Sequence, residues 1–177
     1  MPSALRYGLI AGSLLCLPMF GPYFVFGLRP EWMRAGEVVG YASMLLCLSA
    51  TWFAMRREQL QRGPLGFGAL LGIGVGVSSI AGLVFGLGTW AFYAIVGDAL
   101  PQALIEYYLQ QAQAPGLDPQ ESARRVAEIE AMRPLFFNRP LQAAIMFATV
   151  FMLGVALSVA AALVISHNPP KAQEVSR

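Results

Sequence analysis

Charge is scarce in this chain. Of 177 residues only 12% are Asp, Glu, Lys or Arg, about half the share found in ordinary soluble domains. Histidine occurs once, at His167, which excludes a histidine-rich metal site. The two cysteines, Cys16 and Cys47, both fall in apolar stretches, so neither a structural disulfide nor a redox compartment is indicated. Basic residues are not interleaved with aromatics, which argues against nucleic acid as a partner. The Gly-x-Gly patterns follow no strand and carry no charge, so they are not nucleotide loops, and no cofactor is expected.

What the chain has instead is hydrophobicity, at 56% of residues. The stretch from Gly63 to Val96 contains no charged residue and is strung with glycines. A hydrocarbon core needs roughly 20 apolar residues of helix, and this stretch exceeds that. Three further segments meet the same test, predicting an all-α integral membrane four-helix bundle, with the lipid bilayer as its first partner. The spans are expected at about 7–26, 38–55, 68–96 and 141–166. Arg6 ahead of an apolar run resembles a secretory signal, but no small-x-small cleavage site follows and Pro18 and Pro22 interrupt the run. It reads as an uncleaved first span.

Each span carries small residues at helical spacing, which permits the close approach by which helices associate in lipid. In span one these are Ala4, Gly8, Gly12 and Cys16, followed by Pro18 and Gly21-Pro22, which remove backbone donors and should kink the far half. In span two, Gly36, Gly40, Ser43, Cys47, Ala50 and Ala54 form a seam that leaves Leu45, Leu46, Leu48, Trp52 and Phe53 on the other faces. Span three has the densest series, Gly68, Gly72, Gly76, Ser79, Gly82 and Gly86. In span four, Gly154, Ser158 and Ala162 repeat the spacing. Intramolecular packing is the first reading of these seams, and self-association its competitor.

The long connection, 98–140, is expected to form helices on the extracytoplasmic side. Pro101 can open a helix from about Ala103 to Gln113, which Pro115-Gly116 breaks. Asp118-Pro119-Gln120-Glu121 then reads as a cap, a first-turn proline and an acidic first turn. The helix that follows carries Ala123, Val126, Ile129 and Met132 along one side and charges elsewhere. The tail, 167–177, with Pro169-Pro170, is read as a disordered cytoplasmic segment.

Lysines and arginines are equally numerous on the two sides of such a bundle, so density decides orientation. Arg56, Arg57 and Arg62 directly abut spans two and three, whereas Arg124 and Arg125 lie mid-connection, where charge has less influence on topology. Both termini are therefore placed in the cytoplasm of a bacterial inner membrane, with this basic cluster at the inner leaflet. Near anionic lipid each such residue contributes on the order of 1 kcal/mol of attraction.

Span two opens Glu37-Val38-Val39-Gly40-Tyr41-Ala42-Ser43-Met44 and closes Met55-Arg56-Arg57. Gly66-Phe67-Gly68 and a glycine-rich helix ending Trp90-Ala91-Phe92-Tyr93 follow, then Glu106-Tyr107-Tyr108 and Asn138-Arg139-Pro140. This order resembles the bacterial domain-of-unknown-function 4199 family of small four-span membrane proteins, over nearly the whole chain. The resemblance implies the four-span architecture and no activity. Members often carry a carboxylate in span four, near where this chain has Thr149, and a basic cluster where it has Ser166-His167-Asn168.

No charge lies in the central part of any expected span, which argues against an ion-coupled transporter. Glu37, Asp98 and Arg139 are candidates for interfacial ion pairs. Ser78-Ser79 and His167 suggest no catalytic triad. The leading reading is a non-enzymatic accessory or scaffold protein, acting through helix seams and the exterior hairpin on another membrane protein or a second copy. A small carrier or flippase for a lipid-linked or neutral solute is the alternative. A membrane enzyme using Glu37, Asp98 or Glu106 has the weakest support.

Overall fold

The computed structural model describes residues 3–27, 30–116 and 118–167, with side chains described at all of these except 26 and 30–37. It has seven helices among them: α1 (Ser3–Phe26), α2 (Pro30–Leu48), α3 (Ala50–Arg62), α4 (Phe67–Val96), α5 (Ala99–Ala112), α6 (Pro119–Phe137) and α7 (Arg139–His167). Four helical spans are long and apolar enough to cross a bilayer: Ser3–Val25, Val38–Arg62, Phe67–Val96 and Arg139–His167. The protein is a multi-pass, all-α membrane protein. A helix satisfies its own backbone donors and acceptors, which lipid cannot do.

The spans run further than their most apolar cores. α1 is helical through both Pro18 and Pro22. α2 and α3 form one span joined at Ser49, where the turn tightens. The Ser49 amide donates to both Leu45 O (3.1 Å) and Leu46 O (3.2 Å), and its hydroxyl donates to Leu46 O at 2.6 Å. Nothing stops α3 at Met55, so Arg56, Arg57 and Arg62 ride on helix rather than in a loop. The chain turns only at Gly63, whose φ of 82° suits a residue without a side chain. Gly97 (φ 67°) ends α4 in the same way, its amide donating to Tyr93 O at 3.0 Å.

α4 sits between α1 and α7 and shares its longest interface with α7. A core of Ala11, Leu15, Met44, Leu48, Ala81, Phe85 and Val150 draws on all four spans. A second cluster, Met55, Leu70, Ala161, Ala162 and Ile165, fills the end of the bundle that carries the arginines. At the opposite end, α5 and α6 form a helical hairpin. α5 buries Pro101, Ile105, Tyr107 and Ala112, whereas α6 buries none of its residues. As the sequence reads, Asp118 caps α6, its carboxylate accepting from the amides of Gln120 (3.1 Å) and Glu121 (3.3 Å), with Pro119 in the first turn.

Candidate functional site

Two rows of residues, each stepping by four, organise α4. Toward α7 the row is Leu70, Gly74, Ser78, Gly82 and Gly86, all buried. The facing row on α7 is Val150, Gly154, Ser158 and Ala162, also buried. Rows at four-residue spacing are the ridges and grooves by which helices interlock. The two antiparallel helices meet reciprocally. A Cβ added at Gly74 would lie 2.6 Å from Ser158 Cβ, and one added at Gly154 would lie 2.6 Å from Ser78 Cβ. Each serine hydroxyl satisfies itself on its own helix: Ser78 donates to Gly74 O (2.8 Å) and Ser158 to Gly154 O (2.6 Å). Nearer the hairpin, Gly82 and Gly86 accommodate Phe147 and the Ala143 carbonyl.

Toward α1 the row is Gly76, Ile80, Val84, Gly88 and Phe92, in parallel register with Ala4, Gly8, Gly12, Cys16 and Phe20. Large faces small at the middle steps. A Cβ on Gly8 would stand 2.7 Å from Ile80 Cβ, and one on Gly12 would stand 2.7 Å from Val84 Cβ. Cys16 fills the space over Gly88, and Phe20 stacks on Phe92 at 4.6 Å.

The structure corrects the span-three seam. Gly68 and Gly72 have no atom within 4 Å of an added Cβ. They face outward because α7 follows the row through Gly74 and Ser78, which winds away from Gly68 and Gly72 as the helix nears the arginine end. Gly76 meets Ala4, at 3.2 Å, rather than α7. Ser79 is half-buried and bonds back to Val75 O at 2.8 Å. In span two, Gly40 lies 3.1 Å from Met19 Sδ by the same measure and Ser43 is half-buried. Among the described side chains of α2 the buried residues are Gly40, Met44 and Leu48, so Leu48 belongs to the core and not to the lipid face. Sequence reading missed Gly74, Ser78 and Gly88. The unbroken four-residue step from Gly74 to Gly86 was the signal that could have found Gly74 and Ser78.

At the hairpin end, Arg139 reaches Asp98 at 3.5 Å, both side chains substantially exposed. Exposed pairs of this kind contribute about 0–1 kcal/mol. Glu37 lies outside the described side chains. Glu106 is exposed. Along α6 the arginines pair with glutamates on their own helix: Arg124–Glu128 and Arg125–Glu121 at 2.9 Å, and Arg133–Glu130 at 2.6 Å. The hydrogen bond from Arg125 holds the Glu121 carboxyl below the ordinary carboxylate range, and that from Arg133 does the same for Glu130.

At the arginine end, Arg56 stacks over the Trp52 ring at 5.5 Å and Arg57 is exposed. Arg62 is paired, bonding Glu58 at 2.8 Å. Glu58 is only 5% exposed, and its second oxygen accepts from the Ser3 hydroxyl of α1. Beside it Gln59 is 1% exposed, and neither atom of its amide has a hydrogen-bond partner among the described residues. Thr51 lies two turns back on the same face, buried, its hydroxyl likewise without a partner. Thr51, Met55 and Gln59 thus form a buried stripe at four-residue spacing, with Met55 against Gly74. This column was not anticipated, because the span was expected to end at Met55. The absence of any helix breaker before Gly63-Pro64 is the signal that extends it.

No curated protein and no solved structure matches the chain significantly. Residues 6–166, which take in nearly all of the four apolar spans, match the family described as Protein of unknown function (DUF4199), and the chain belongs to that family.

Proposed function

We propose that this protein is a non-enzymatic accessory or scaffold protein of the bacterial inner membrane, with both termini in the cytoplasm, that engages another membrane protein through its exterior hairpin. The observation that carries this reading is the division of labour within the hairpin. α5 is rooted in the bundle by Pro101, Ile105, Tyr107 and Ala112, while α6 buries nothing and leaves Met132 and Leu135 each 47% exposed. A hairpin rooted by one helix and exposing the apolar side chains of the other suits presentation to a partner better than catalysis. Photo-crosslinking residues placed at Met132 and Leu135 in cells test it. A discrete protein adduct is expected, and recovery of an uncrosslinked monomer alone counts against the reading.

Orientation rests on the density of Arg56, Arg57 and Arg62 next to two spans. Reporter fusions at Arg57 and Ala114 are expected to report cytoplasm and exterior respectively.

A carrier or flippase for a lipid-linked or neutral solute is the second reading. What favours it is the polar stripe of Thr51 and Gln59, since unpaired polar groups within a span are costly unless used. What weighs against it is the close meeting of Gly74 with Ser158 and Gly154 with Ser78, which leaves no passage between α4 and α7 at that level.

A further inference from the structure

Among the described residues Gln59 is the one buried primary amide without a partner, although the hydroxyls of Thr51 and Tyr107 also lack one. Ser78, Thr89 and Ser158 each donate to the carbonyl four residues back. Gln59 has a longer side chain with both a donor and an acceptor, is 1% exposed, and bonds neither. An unpaired buried amide costs about 1–3 kcal/mol. Its neighbour Glu58 is tied on both sides, to Ser3 of α1 and to Arg62 one turn on. Ser3 stands in the first turn of α1, and Ala4 beside it packs on Gly76 of α4. The start of α1 is therefore fastened across the arginine end of the bundle by one side-chain hydrogen bond to a carboxylate.

We propose that Ser3, Glu58 and Arg62 form a latch over a binding site at the arginine end, in which the Gln59 amide takes a small uncharged molecule that both donates and accepts hydrogen bonds. The ligand class follows from the charges and from the amide. Glu58 and Arg62 neutralise each other and Arg57 is exposed, so a charged ligand held beside the buried Gln59 would lack a buried counter-ion, which burial penalises heavily. A primary amide in turn pairs best with a molecule carrying both a donor and an acceptor. The site is independent of the hairpin and stands whether or not α6 has a partner.

The test uses the full-length protein in membranes, with the free Cys16 and Cys47 replaced by alanine. Gln59→Cys is alkylated with iodoacetamide, a neutral primary amide, and with iodoacetate, its charged counterpart. Each rate is normalised to that of Leu60→Cys, an exposed neighbour. Ser3→Ala opens the latch, and loss of one hydrogen bond to a charged group shifts the open fraction by roughly tenfold or more. The normalised iodoacetamide rate at position 59 is expected to rise by about that factor, and the iodoacetate rate to rise less. Val77→Cys, fully buried deeper in α4, is expected to stay unreactive in both backgrounds. An unchanged rate at position 59 overturns the latch. An equal rise for iodoacetate overturns the preference for a neutral ligand. A matching rise at Val77→Cys means that the whole bundle has loosened, and also overturns the proposal.

Discussion

Glycine means different things at neighbouring positions of α4. At Gly74 the helix is approached so closely that an added Cβ would meet Ser158 Cβ at 2.6 Å, while at Gly72 the space is open. Gly74→Val and Gly154→Val are expected to lower stability by about 1–3 kcal/mol through overpacking, read as a lower unfolding temperature in detergent. Gly72→Ala is expected to be neutral or to stabilise, since alanine is favoured over glycine in a helix by up to about 1 kcal/mol. The same assay addresses Gln59. Gln59→Met keeps the length and removes the unpaired amide, so the closed bundle is expected to gain about 1–3 kcal/mol. A loss of stability there would mean that the amide is bonded in the folded protein.

At the scale of the element, α6 depends on itself more than on packing, because it buries no residue. Its cap and its ion pairs therefore matter more than they would in a buried helix. Asp118→Ala removes the carboxylate that accepts from Gln120 and Glu121, and is expected to cost about 1 kcal/mol of helix stability. Hydrogen exchange should show it as faster exchange in the first turn of α6. The ion pairs give the helix a pH dependence of definite sign. The Glu121 and Glu130 carboxyls, bonded by Arg125 and Arg133, are held below their ordinary range when the helix is formed. Their stabilisation is fully present above that range and is lost as pH falls through the depressed values. Protection across α6 is expected to fall on acidification while that of α4 and α7 holds. Arg125→Gln should remove part of the difference, and high salt should shrink it.

For the molecule as a whole, α4 is the hub, parallel to α1 along one row and antiparallel to α7 along another. Both interfaces pair small residues with larger ones at matching steps, as Gly8 with Ile80 and Gly154 with Ser78. Lipid offers no hydrophobic drive between spans, so such close contact is the main source of association. Swapping both members of one step, as in the double variant Gly154→Ser with Ser78→Gly, is expected to recover part of the stability lost in Gly154→Ser alone. Strictly additive losses would show that the two positions do not share a contact.

The sequence by itself determined the four spans, the helical hairpin and the Asp118 cap, because these depend on local periodicity, length and backbone chemistry. It also put Asp98 and Arg139 among the candidates for an interfacial ion pair, since each closes or opens a span at the same end of the bundle. Only the tertiary structure decided which small residues meet a neighbour. Gly68, Gly72 and Gly86 share one helical face, yet α7 crosses that face at Gly86 and has left it before Gly72. It also decided that Glu58 and Gln59 are interior. Both look like solvated residues beyond an apolar run, yet both side chains are buried and Ser3 of α1 bonds Glu58. Periodicity tells which residues share a face of one helix, but the direction from which another helix arrives is set by contacts far apart in the chain.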